Sequence, residues 1–122
     1  MGKQKITEKD LKTLKYRTLA LERDCLRLGR LEKTGDSSNL ADSLRKRVEQ
    51  ESQHICNIID FIAGIKDERV RLAVAMRYID GERWSAVAAV YSPSCSDSCV
   101  RMAVKRYLTA EGVPSDGCDN RA

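Results

Sequence analysis

The stretch WSAVAAVYSPSCSDSCVRMAVKRYLTA, residues 84–110, decides the fold. Its first eight residues are almost wholly apolar, so a short helix there has to lie under a neighbour instead of facing water. Pro93 bars continuation of that helix, and within SPSCSDS Ser96 is well placed to cap the next one. From about 97 to 110, Val100, Ala103 or Val104, Tyr107 and Leu108 recur at helical spacing and should face inward. Asp97, Ser98, Arg101, Met102, Lys105 and Arg106 are then left on the outer face. A short apolar helix, a turn of four to five residues and an outward-facing cationic helix match the helix-turn-helix module, whose second helix enters the DNA major groove.

Upstream, Asp80-Gly81 within IDGER marks a turn, and a third helix is expected from about Asp67 to Tyr78. Its Val70, Leu72, Ala73, Val74, Met76 and Tyr78 suggest burial on several sides. Residues 6 to about 33 read as one helix, with Leu11, Leu14, Leu21 and Leu28 on a heptad-spaced stripe and Cys25 on the same seam. Leu19, Leu26 and Leu31 lie off that seam and widen the apolar face. TGDSSN at 34–39 breaks the pattern, with Gly35 suited to a left-handed C-cap and Ser38 or Asn39 to an N-cap. A second helix from about 40 to 64 carries Leu44, Val48, Ile55, Ile58, Ile62 and Ile65, interrupted by Gln50 and Glu51. Two helices of similar length with so short a connection should pair antiparallel.

The expected architecture is therefore all-α. An N-terminal antiparallel helical hairpin (1–64) precedes a helix-turn-helix (65–112) and a flexible tail (113–122). The 122 residues leave room for one domain, or a small domain with an appendage. An apolar share of 42% with only 5% aromatics suits packed helices. No run approaches the roughly 20 apolar residues of a membrane span, and MGKQKITEKDLK is charged where a signal peptide has its apolar core. The expectation is a cytoplasmic protein with no membrane partner. A net charge of +4 permits a polyanionic partner without demanding one.

Within the last helix, Ser98 and Arg101 are the favoured readers of base edges, Arg101 by bidentate bonding to guanine, while Asp97 can accept from cytosine. Met102 shares their face. Lys105 and Arg106, a turn further on, would meet phosphates, and Ser96 marks a helix N-terminus whose amides could hold another. The competing reading is an ordinary solvated basic face. The cysteines, Cys25, Cys56, Cys95, Cys99 and Cys118, read as reduced, buried or half-buried thiols. Cys95 and Cys99 with His54 and Cys56 lack zinc-site spacing, so no metal or other cofactor is expected. His54, the only histidine, reads as a helix-surface residue, and Asp67-Glu68 as helix N-terminal charge. There is no Gly-rich phosphate loop, and no enzyme is expected.

The segment VRLAVAMRYIDGERWSAVAAVYSPSCSDSCVRMAVKRYL resembles the C-terminal part of phage-encoded regulators related to region 4 of bacterial sigma factors, including late-transcription activators. The resemblance rests on Met76-Arg77-Tyr78-Ile79-Asp80-Gly81, Trp84-Ser85, Val87-Ala88, Tyr91-Ser92, Val100-Arg101 and Lys105-Arg106-Tyr107-Leu108, and covers roughly residues 55–110. The turn between Tyr91 and Val100 is longer than the family pattern, and Val90 stands where a Leu-Gly pair is commoner. The resemblance implies a phage or prophage transcription regulator that docks on promoter double-stranded DNA, with RNA polymerase as a second candidate partner. The off-seam leucines raise a homodimer, which would place two recognition helices about one DNA turn apart. The rival readings are a small terminase-like packaging subunit that assembles into a ring, and a module that docks on RNA polymerase without touching DNA.

Overall fold

The computed structural model describes residues 6–35 and 39–113, and all regular structure among them is helical. Helix α1 (Glu8–Lys12) runs almost directly into α2 (Leu14–Lys33), followed by α3 (Asn39–Ala63), α4 (Glu68–Val74), a π-helical turn (Ala75–Ile79), α5 (Trp84–Tyr91) and α6 (Asp97–Ala110). None of the described helices is long and apolar enough to cross a membrane.

The expected single N-terminal helix is divided at Thr13. The Thr13 hydroxyl donates to the Lys9 carbonyl at 2.9 Å while its own amide donates there at 3.0 Å. Such back-bonding bends a helix without ending it, and the Arg17 amide still reaches the Thr13 carbonyl at 2.8 Å. The start is fixed by a capping box, in which the Thr7 hydroxyl accepts from the Asp10 amide and the Asp10 carboxylate accepts from the Thr7 amide.

Helices α2 and α3 are antiparallel, as the short connection implied, and their ion pairs record the register. Glu32 meets Arg45, Asp24 meets Arg47 and Arg17 meets Glu51, and before α2 Asp10 meets His54. Glu51, which interrupts the apolar stripe of α3, is thus a cross-helix partner. Gly35 closes α2 with φ 74°, in the left-handed region that glycine tolerates best. The expected cap at Ser38 lies outside the described residues, and Asn39 is the first residue of α3.

One core joins both halves of the chain. Leu11 and Leu14 of the N-terminal helices and Ile55, Ile58 and Ile62 of α3 pack in the same cluster as Val74, Val87, Val100, Val104 and Leu108. Farther along the hairpin, Ala41 and Leu44 are buried, whereas Leu19, Leu26 and Leu40 are exposed. Cys25 is exposed instead of lying on the seam. Leu72, expected inside, is 48% exposed, since α4 buries only the face carrying Val70, Ala73 and Val74. Val113, assigned from sequence to the tail, is buried in the core. Residues 114–122, including Cys118, lie outside the described residues.

A candidate nucleic-acid interface on the last helix

Helix α4 starts at Asp67, whose carboxylate accepts from the amides of Arg69 and Val70 at 3.0 and 3.3 Å. Its C-terminal end widens into the π turn. There the Asp80 amide reaches the Ala75 carbonyl, five residues back, at 3.0 Å, and the Glu82 amide reaches Met76 at 3.0 Å. Gly81 then reverses the chain with φ 78°. The turn places the Arg77 guanidinium 5.1 Å from the centre of the Trp84 ring and lets it donate to the Glu82 carbonyl at 3.1 Å. Tyr78 meets the same indole edge-on, with centroids 6.3 Å apart. Sequence reasoning anticipated the Asp80-Gly81 turn but not the π geometry before it.

Helix α5 occupies the expected span and buries Val87 and Ala88. Residues 92–96 connect it to α6. Ser96 caps α6 as expected, its hydroxyl accepting from the Cys99 amide at 3.1 Å. Val100, Val104 and Leu108 are buried, while Ala103 and Tyr107 are half-buried beside them. The Tyr107 hydroxyl accepts from the Lys66 amide at 3.1 Å, tying α6 to the segment that leads into α4. Helix α6 is therefore held from below and along one edge.

All the candidate contact residues, Ser96, Asp97, Ser98, Arg101, Met102, Lys105 and Arg106, are exposed. They do not share one direction. The helical period puts Ser98 and Met102 near the crest, with Arg106 toward one flank and Arg101 and Lys105 toward the other. Arg101 and Lys105 line a cleft of about 670 Å³ between α6 and the N-terminal helices. The Arg101 guanidinium lies 6.0 Å from the centre of the Trp84 ring. Lys12, Lys15 and Arg77 line the same cleft, with Glu8 as its one carboxylate. None of these four had been singled out from sequence as a contact residue. The available signal was weak: Glu8, Lys12 and Lys15 recur at steps of four and three, which places them on one side of a helix.

The thiols also depart from expectation. Cys25, Cys56 and Cys99 are exposed and only Cys95 is half-buried. A hydrogen bond with the Cys99 side chain, followed by burial, pushes the Cys95 thiol above its usual range. No cluster of three or more His, Cys, Asp or Glu side chains able to hold a metal exists among the described residues. His54, read as a surface residue, is instead half-buried against Asp10, its Nε2 3.2 Å from the carboxylate. Burial alone would raise the Asp10 pKa, but hydrogen bonds from the Thr7 amide, His54 and the Thr7 hydroxyl outweigh it and hold the carboxyl below its ordinary value.

No family model, curated protein or solved structure matches the chain.

Proposed function

We propose that this chain binds double-stranded DNA sequence-specifically, with α6 in the major groove, and acts as a phage or prophage transcription regulator of the sigma region 4-like type. The observation that carries the reading is a capped, amphipathic α6 standing on the buried Val87 and Ala88 of a short α5, with its remaining faces exposed and cationic. A helix supported in this way can enter a groove without its neighbours meeting the sugar-phosphate walls. Ser98 and Asp97 sit at the start of the helix, where base edges are read, and Arg101 can bond guanine bidentately after leaving the Trp84 ring. Arg106 and Lys105 supply phosphate contacts on opposite flanks, and the Ser96-capped N-terminus supplies oriented amides.

The test is a salt series of binding to random and selection-enriched duplexes. Arg101→Ala should weaken specific binding by about 1–3 kcal/mol and relax preference at one base position. Arg106→Ala should weaken all duplexes alike and reduce the slope of log affinity against log salt by about one. Absence of binding at low salt would overturn the proposal and leave α6 as a protein-docking surface, with RNA polymerase the first partner to try.

A further inference from the structure

Several cations of the hairpin have carboxylate partners: Arg17 meets Glu51, Arg45 meets Glu32 and Asp42, and Arg47 meets Asp24. Around the cleft beside α6, five cationic side chains face a single carboxylate, Glu8, which pairs with Lys12 at 3.8 Å. Lys15, Arg77 and Arg101 have no carboxylate partner among the described residues. Arg77 and Arg101 rest instead on Trp84, an uncharged partner for two guanidinium groups. Like charges gathered around one concavity repel one another, and that repulsion is relieved when a multiply charged anion enters.

We infer that this cleft is a phosphoryl-anion site, gripped by Lys15 from α2, Arg77 from the π turn and Arg101 from α6. Guanidinium groups match phosphate oxygens in geometry as well as charge, and a lysine on a flexible stem completes the grip as a point charge. Lys15 is already aimed: a Cβ placed on Gly81 would lie 3.2 Å from its Cδ and 3.3 Å from its Cε, so the stem runs over the bare glycine backbone. The volume of about 670 Å³ falls within the range of small-ligand sites. Two sources can supply the anion, a DNA backbone phosphate or a free oligophosphate. The first rests on the DNA-binding reading above and would extend the footprint of α6 onto the N-terminal helices. The second does not depend on it.

Trp84 is the only tryptophan and borders the cleft, so its fluorescence reports occupancy directly. The full chain is titrated with inorganic pyrophosphate and, separately, with a duplex bound by the wild type. Lys15→Gln, which keeps the stem over Gly81 and removes the charge, and Arg77→Gln are titrated in parallel, with thermal melts to confirm folding. A saturable Trp84 response to pyrophosphate, weakened about tenfold in either variant, supports a free phosphoryl ligand, a tenfold change being about 1.4 kcal/mol. A response to duplex alone, with Lys15→Gln lowering the salt slope by about one, supports a backbone phosphate. A silent Trp84 with both ligands, or folded variants that bind both as the wild type does, overturns the inference. Duplex binding that remains sensitive to Arg101 and Arg106 would in that case leave the groove reading standing. Pyrophosphate binding without any duplex binding would uphold the cleft and remove the groove reading.

Discussion

Replacing Ser96 with alanine removes one defined interaction at the start of α6. The Ser96 hydroxyl accepts from the Cys99 amide at 3.1 Å, and its backbone lies at φ −91°, ψ 170°, an extended conformation that alanine adopts freely. The loss is therefore confined to the cap. Serine-to-alanine changes at N-caps cost about 1 kcal/mol, and the exposed surroundings allow water to take up part of the orphaned amide, which argues against a larger value. For a chain of this size that corresponds to a fall in melting temperature of roughly 4 °C. Differential scanning calorimetry or urea unfolding measures it. Ser96→Asp, which can accept the same hydrogen bond and places a negative charge at the positive end of the helix, should restore the loss. The two variants also separate folding from binding. If the N-terminus of α6 meets a DNA phosphate, Ser96→Asp will be as stable as the wild type yet bind duplex more weakly, because its carboxylate competes for the same amides. A Ser96→Ala protein that melts with the wild type, or an aspartate variant no more stable than the alanine one, would refute the capping argument.

Gly81→Ala forces a side chain into φ 78° and presses a Cβ against Lys15, so it should cost about 1–2 kcal/mol in urea unfolding and, by displacing Lys15, weaken anion binding in the cleft. Asp10 has its pKa lowered on folding, so it contributes stability that is present above the unfolded carboxyl value of about 3.9 and lost as pH falls through the folded value. Urea unfolding should accordingly show the wild type losing more stability than Asp10→Asn between about pH 5 and pH 2, and parallel losses would contradict the assignment. A fragment of residues 65–113 gives up Leu11, Leu14, Ile55, Ile58 and Ile62, each worth about 1.5–3 kcal/mol of burial, against a typical domain stability of 5–15 kcal/mol. It should be unfolded by circular dichroism, and a folded fragment would show that the two halves are separable.

What the sequence made legible follows from where local chemistry decides the outcome. The limits of α5 and α6 were readable because Pro93 removes a donor and Ser96 supplies an acceptor, and these effects act within a few residues. Gly35 and Gly81 were readable for the same reason, since each relieves a local steric conflict. The break at Thr13 was not, because threonine is compatible with a helix and only the back-bond of its hydroxyl to Lys9 distinguishes this one. The π turn, which brings Arg77 and Tyr78 onto Trp84, has no signature in spacing alone. His54 acquired its role from Asp10, 44 positions earlier in the chain. The outer face of α6 could be enumerated from helical period, but its division between crest and cleft flank could not, because the N-terminal helices create the cleft.

That dependence changes what the hairpin is for. Its beginning and its far half have different environments: Leu11 and Leu14 enter the core with residues of α4, α5 and α6, whereas Leu19, Leu26 and Leu40 are exposed. The off-seam leucines Leu19, Leu26 and Leu31 motivated the expectation of a homodimer, but the buried Leu11 and Leu14 make the first described turns part of the same body as α6. Lys12 and Lys15 are consequently held at the flank of α6 by the burial of Leu11 and Leu14 next to them in sequence. The burial of Leu11 and Leu14 fixes the backbone from which Lys12 and Lys15 reach the cleft, so meeting an anion requires ordering of their side chains only. The cost of that organisation is the mutual repulsion of Lys15, Arg77 and Arg101, which Trp84 relieves only in part. What sets Lys15, Arg77 and Arg101 apart from other solvated cations is that they converge on one concavity from three different elements, which a phosphate-gripping surface requires and solubility alone does not.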